Sequence, residues 1–290
     1  MPATDRPATS PAPRHIGLDT DIGSDVDDVL ALAAILGSSS LVLDHVTTVY
    51  GDTLVRARLA AHALRLAGRQ DSRVVPGTEL PRSGRAVWWA GHEGQLVPEL
   101  DSEAVDRESD AVTLLAGTPT VLAIGPLTNV AAALEQPACS IEQLYLMGGE
   151  FSRHVPEHNI SCDSTAAASV FAAGVPVTAI GIDQTARVRV GTAFVAAFEA
   201  AGRLGAFLAA EIRQYWAFGG TDSNVPHDPL AVLMLTDPQL FTFERGGVTV
   251  TAEGVTEFAA AADGPHRVVV DLDVPAVTDL LVARILAAAR

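Results

Sequence analysis

Residues 18–36 read "LDTDIGSDVDDVLALAAIL", and five aspartates, at positions 19, 21, 25, 27 and 28, crowd the joint between a short apolar run and a longer helical one. Helix capping explains part of this, because a carboxylate at a helix start accepts from exposed N–H groups and suits the macrodipole. That covers Asp27 and Asp28. It leaves Asp19 and Asp21 at the end of an apolar strand, where unpaired carboxylates would repel each other and lose hydration. A bound divalent cation would neutralise the group, and oxygen-only ligation favours Ca²⁺ or Mg²⁺ over zinc. The spacing is not that of an EF-hand. Counted from Asp19, the sixth position is Ser24 rather than glycine, and the twelfth is Leu30 rather than glutamate.

The strand-then-helix pattern of this stretch repeats outward along the chain. "LVLDHVTTVYG" leads into "TLVRARLAAHALRLAG", which stops at Gly68, and "TVLAIG" leads into "PLTNVAAALEQ". "QLYLMGG" precedes "STAAASVFAAG", and "VPVTAIGID" follows. Such alternation predicts an α/β fold with a mostly parallel central sheet and helices on both faces. Polar residues gather where each strand pattern ends, at Asp19 and Asp21, Gly51 and Asp52, Gly125 to Asn129, and Met147 to Glu150. Open parallel sheets bind ligands beyond the carboxyl ends of their strands, so these points converge on one cleft. Past residue 190 the pattern is helical to about Gly219. The loop "GGTDSNVPHDPL", an apolar helix, strands near 240–274 and a closing helix "PAVTDLLVARILAAAR" complete a single domain, residues 15–290.

Composition narrows the function. The chain of 290 residues is 48% hydrophobic, enough for a substantial core, and its net charge of −16 argues against a nucleic-acid partner. All 19 lysine-or-arginine positions are arginine, which excludes a Schiff-base lysine and the lysine of a phosphate-binding loop. Cys139 and Cys162 are too few for a disulfide framework and point to a reducing compartment, the cytoplasm. Residues 1–14, "MPATDRPATSPAPR", lack the apolar stretch of a signal peptide and predict a disordered tail. No apolar run approaches a membrane span.

A strand followed by Asp-x-Asp also opens haloacid-dehalogenase-type phosphatases, with Asp19 as nucleophile and Asp21 as acid. That family wants threonine or valine where Gly23 stands, and a downstream lysine. The opening stretch more closely resembles the nucleoside hydrolase family of the inosine-uridine-preferring type, whose pattern is D-x-D-x-G-x-D-D before an apolar helix. Two residues are inserted here, so the pair Asp27 and Asp28, directly ahead of "VLAL", matches the family's Asp-Asp, and Asp25 is an extra carboxylate. Further landmarks follow in family order: "VTTVYGD", "GHEG" at 91–94, "IGPLTN" at 124–129, "MGGEFSRHVPEHNISCDSTAA", and "HDPLAV" at 227–232.

The resemblance implies an open α/β fold and a Ca²⁺-dependent hydrolase that releases ribose and a free base from a ribonucleoside. It implies Asp21, Asp28, Asp228 and the backbone carbonyl of Ile124 as calcium ligands. Asp27, Glu157 and Asn159 would hold the ribose, with Asp52 at a position where the family commonly has asparagine. The family's asparagine six residues before this glutamate falls on Phe151, which leaves His154 as a substitute on the 5′ side by position only. The family is usually dimeric or tetrameric, which implies a homo-oligomer.

Cleavage of a ribosyl C–N bond needs a poised water, a proton acceptor, a grip on the sugar as positive charge develops, and an acid for the leaving base. The cation would orient and acidify the water with Asp21 beside it as general base, and the carboxylates would favour the developing charge. His227 would be the acid. His92 of "GHEG" is a candidate contact to base or sugar, and Trp88, Trp89, Tyr215 and Trp216 could stack on a base or belong to the core or a subunit contact. A phosphatase and a non-catalytic nucleoside-binding protein remain the alternatives.

Overall fold

The computed structural model describes residues 12–290, so most of the expected N-terminal tail lies outside the described residues, and Arg14 already belongs to the first strand. Strand β1 (Arg14–Thr20) passes to α1 (Asp27–Leu36), β2 (Leu41–Thr48) to α2 (Thr53–Leu66), and β3 (Arg73–Pro76) to α3 (Ala111–Ala116). Then β4 (Thr120–Ala123) leads to α4 (Thr128–Leu134), and β5 (Gln143–Met147) to α5 (His158–Cys162) and α6 (Ser164–Ala172). After β6 (Val177–Ile180) come α7 (Ile182–Thr185), α8 (Thr192–Glu199), α9 (Arg203–Gly219) and α10 (His227–Thr236). The chain closes with β7 (Phe241–Val250), β8 (Thr256–Ala260), β9 (His266–Leu272) and α11 (Val274–Ala289).

The strands form one nine-stranded sheet in the order β3-β2-β1-β4-β5-β6-β9-β7-β8. Pairing is parallel from β3 through β9, and antiparallel where β7 meets β9 and β8. Alternation along a strand divides the core between the faces. Leu122 of β4 joins Ile16 and Leu18 of β1 against α1, α9, α10 and α11, while its neighbours Val121 and Ala123 pack with α4 and α6 on the other side. Helices therefore cover both faces, as the sequence predicts. Helix α1 is buried from Asp27 through Ile35 because α2, α10 and α11 surround it, which is why its sequence is apolar almost all round. At the far end of the α2 unit, Gly68 takes φ +69°, the left-handed turn that stops a helix.

This topology sets β1 and β4 side by side at the middle of the sheet. Their carboxyl ends point the same way and bring Asp21 and Ile124 together. Helix α10 packs against α1 and carries Asp228 to the same end.

Candidate active site

The loop between β1 and α1 is held from behind by one arginine. Arg56 of α2 is 1% exposed; its Nε donates to the Tyr50 carbonyl at 2.6 Å and its Nη1 to the carbonyls of Ile22, at 2.9 Å, and Asp21. Its Nη2 donates to Ser24 Oγ at 3.3 Å and stands 4.0 Å from Asp21 Oδ2, while the Trp89 ring lies 4.9 Å from the guanidinium. A buried guanidinium must recover its lost hydration from fixed acceptors, and the loop's own carbonyls supply them. Gly125 completes the fit, because a Cβ there would stand 2.7 Å from Asp21 Oδ1.

Side-chain capping does not account for the aspartates. The residue before α1 is Val26, which caps nothing with its side chain, and Asp27 and Asp28 are buried in the first turn. Oxygens of Asp27, Asp28 and Asp228 lie within 4.8 Å of one another. Burial and the neighbouring carboxylates push Asp27, Asp28 and Asp228 well above the usual carboxylate range, and burial raises Asp21 against the pull of Arg56. Among the described residues, the one hydroxyl bonded to the trio is Thr20 Oγ1, which donates to Asp28 Oδ1. Crowded, buried, all-oxygen donors with too little positive charge around them fit a hard divalent cation. Asp27, expected at the sugar, thus stands in the tightest carboxylate group, with Asp21 close beside it.

Two of the expected sugar residues, Glu157 and Asn159, sit at the start of α5. Glu157 caps this helix: its carboxylate accepts from the N–H groups of Gly149 at 2.9 Å, Asn159 at 2.9 Å and Ile160 at 3.0 Å, bonds that offset the upward push of burial. The Asn159 amide donates to the carbonyls of Ile124, at 3.0 Å, and Met147, at 3.3 Å, tying together the ends of β4 and β5. A carbonyl has two lone pairs, so Ile124 can accept this bond and still meet a cation. His227 opens α10, and its Nδ1 lies 2.6 Å from Thr185 Oγ1. Burial pulls its imidazole down to about 4, so it is neutral at neutral pH.

A cavity of about 360 Å³ gathers these groups: Asp21, Asp27, Asp28, Ile124, Glu157, Asn159, His227 and Asp228 all line it. Asp52 and His92 do not. Asp52 is exposed and turned onto α2, where its Oδ1 accepts from the Val55 N–H at 2.9 Å; it is a helix cap, because the chain turns through Gly51 at φ +77° immediately before it. His92 braces the aspartate loop from outside, with Nε2 3.0 Å from the Ser24 carbonyl and its ring edge-on to Phe218 at 4.8 Å. His154 is exposed and also stands off the cavity. A larger cavity, about 880 Å³, opens between α2 and residues 99–106, but its charges pair off, Arg65 with Glu103 and Arg73 with Asp106.

Asp25 does line the cavity, half-buried, and its Oδ1 accepts from the Val26 N–H at 2.5 Å. Among the aromatic candidates, Trp88 and Tyr215 reach the cavity, whereas Trp89 packs on Arg56 and Trp216 is buried with its Nε1 donating to Asn224 Oδ1 at 3.1 Å. The aromatic lining residues His158 and Phe218 were not among the sequence candidates. His158 sits between Glu157 and Asn159, so its neighbours were the available signal. Phe218 lies three residues beyond Tyr215 on α9, the spacing that places both on one face.

Known proteins match the chain over nearly its whole length. The family model described as inosine-uridine preferring nucleoside hydrolase matches residues 16–279. The non-specific ribonucleoside hydrolase RihC of Salmonella agona is 32% identical over 260 residues, 83% of this chain and 84% of that protein. The probable uridine nucleosidase 2 of Arabidopsis thaliana is 29% identical over 94% of this chain and 98% of its own length. Among solved structures, the purine-preferring ribonucleoside hydrolase from Gardnerella vaginalis aligns with a TM-score of 0.85 and 26% identity, over 95% of this chain and 99% of that one.

Proposed function

The chain belongs to the inosine-uridine preferring nucleoside hydrolase family and is a ribonucleoside hydrolase, and from that premise we propose that it uses Ca²⁺ to hydrolyse the N-glycosidic bond of ribonucleosides to ribose and a free base. The observation that carries the calcium-assisted reading is the buried group formed by Asp27, Asp28 and Asp228 in a cavity whose walls also bear Glu157, Asn159 and His227. Asp21, Asp28, Asp228 and the Ile124 carbonyl would hold the ion, and oxygen donors of this kind suit the adaptable coordination of calcium. When bound, the cation supplies acidification and orientation of a water.

The other steps rest on the chain's own groups. Asp21 takes the proton of the attacking water. Asp27, Glu157 and Asn159 hold the ribose hydroxyls, and the acidic walls favour positive charge on the ribosyl carbon as the C–N bond lengthens. The bond between Thr185 and His227 Nδ1 fixes the imidazole, and with the Thr185 hydroxyl as donor the proton sits on Nε2, available to a nitrogen of the departing base. The phosphatase alternative needs a cation over a phosphate, and no arginine lines the cavity among the described residues.

The test is release of reducing sugar from a panel of purine and pyrimidine ribonucleosides, with chelator and with calcium restored. Chelator-sensitive ribose release that calcium restores is the expected result. Ribose release indifferent to chelator would remove the calcium role, and no release from any nucleoside would overturn the activity.

A further inference from the structure

Beside the substrate cavity lies a second cleft, also of about 360 Å³, lined by Tyr50, Arg85, Trp88, His158, Ser161 and Cys162. Trp88 and His158 line both spaces, so they form the wall between them. Cys162 Sγ stands 3.6 Å from His158 Nε2 and packs with Tyr50 and Val49. Tyr50 Oη accepts from the Trp88 N–H at 2.8 Å, and the His158 ring stands edge-on to Trp88 at 5.8 Å and to Tyr50 at 6.5 Å. The thiol therefore touches His158, one of the two side chains that wall the substrate cavity from the cleft. We propose that Cys162 is a thiol–disulfide modification site, through which a low-molecular-weight disulfide carrying carboxylates reversibly blocks nucleoside turnover.

The chemistry follows from the neighbours. The Cys162 thiol releases its proton to solvent beside the His158 imidazolium and the sulfur attacks one sulfur of the disulfide; that S–S bond breaks, a Cys162–S–S–R bond forms, and the other half leaves as a thiolate. No further oxidant is consumed, and excess free thiol reverses the exchange. His158 is pushed up to about 9, chiefly by its hydrogen bond to Cys162, so it holds positive charge beside the sulfur at neutral pH, the surrounding that favours a reactive cysteine. Arg85, hydrogen-bonded to the Ser161 and Ala252 carbonyls at 3.0 Å and 2.8 Å, places its guanidinium at the same cleft and favours a reagent bearing carboxylates. Cys162 is 8% exposed, so an added group can fit only by entering the cleft and moving His158 or Trp88. His158 lies between Glu157 and Asn159 in the chain, and a shift of roughly 1 Å there costs about 10²-fold in rate.

The inhibition measured in the test rests on the nucleosidase reading, so labelling is followed separately by mass. The native protein is treated with dithiobis(nitrobenzoate), and adduct position, kcat/KM for a ribonucleoside, and recovery with dithiothreitol are recorded. The expected result is an adduct at Cys162, a fall of about 10²-fold in kcat/KM, recovery with the reductant, and slower labelling when ribose is present. Cys162→Ala should stay active and resist the reagent, and Cys139→Ala should remain sensitive. An adduct at Cys162 with unchanged turnover, inhibition that persists in Cys162→Ala, or no adduct at Cys162 in the folded protein would each overturn the proposal. Should Cys162→Ala not fold, proportional loss and recovery of activity with adduct in the Cys139→Ala protein decides the matter. Should the untreated protein release no ribose, the nucleosidase reading fails, and slowing of Cys162 labelling by ribose still decides whether cleft and cavity communicate.

Discussion

At the β1–α1 joint, Asp27 and Asp28 face Asp228 within 4.8 Å, with the Thr20 hydroxyl bonded to Asp28. Beyond β5, the equally buried Asp163 spends its carboxylate on donors: the N–H groups of Arg82 at 2.8 Å, Ser83 at 3.0 Å and Ala166 at 3.1 Å, and the Thr128 hydroxyl at 2.6 Å. Glu157 is satisfied in the same way by three N–H groups. Depth of burial does not separate the two regions; the supply of donors does. A satisfied carboxylate fixes loops and helix starts, while unsatisfied ones in company store repulsion that a cation relieves.

The largest effect should come from disturbing the first joint. Chelation should lower kcat/KM at least about 10²-fold and lower the melting temperature, since a ligand present at hundredfold excess over its Kd stabilises by about 2.7 kcal/mol. Asp28→Asn should lose turnover as severely, yet in chelator it should melt higher than the parent by about 1 kcal/mol, because a repelling charge is gone. A variant that melts lower in chelator would break the comparison.

Next comes the guanidinium behind that joint. Arg56→Met should cost about 3–5 kcal/mol in denaturant unfolding, since Asp21 and the carbonyls of Tyr50 and Ile22 would lose a buried partner together. A loss below about 1 kcal/mol would show that water reaches the loop from behind.

Glu211 of α9 sharpens the comparison as a solitary case. Its Oε1 is buried without a partner among the described residues, and burial raises its carboxyl to about 7. Its folded value lies above the unfolded one, so the unfolded chain binds fewer protons between the ordinary value of 4.5 and about 7, and stability falls as pH rises across that window. The loss should reach about 2–3 kcal/mol in the calcium-loaded protein and be absent in Glu211→Gln, read as the difference between their stability–pH curves. Parallel curves would mean that Glu211 is solvated in the folded state.

The smallest effect belongs to an exposed cap. Asp52→Ala should cost about 1 kcal/mol of stability through the lost bond to Val55 and leave kcat/KM within about threefold. A larger loss of turnover, with little loss of stability, would return Asp52 to the sugar, where its sequence position had put it.

The sequence by itself determined the α/β class, the parallel sheet, the covered faces and the carboxyl-end location of the site, because each depends on periodicity and on where polar residues interrupt it. It also determined that the aspartates needed more than capping, since five carboxylates in so short a stretch exceed what one helix start can use. Only the tertiary structure decided which carboxylates meet. Asp228 lies some two hundred residues from Asp28, and their approach comes from α10 packing on α1, a contact that no local pattern encodes. Asp52 went the other way: two successive residues with positive φ, Tyr50 and Gly51, turned it onto its own helix, and local geometry of that kind is invisible to a motif. Likewise the shared wall of two cavities follows from how α5 seats His158 against Tyr50 and Trp88, since side-chain neighbours in a packed interior are set by the fold as a whole.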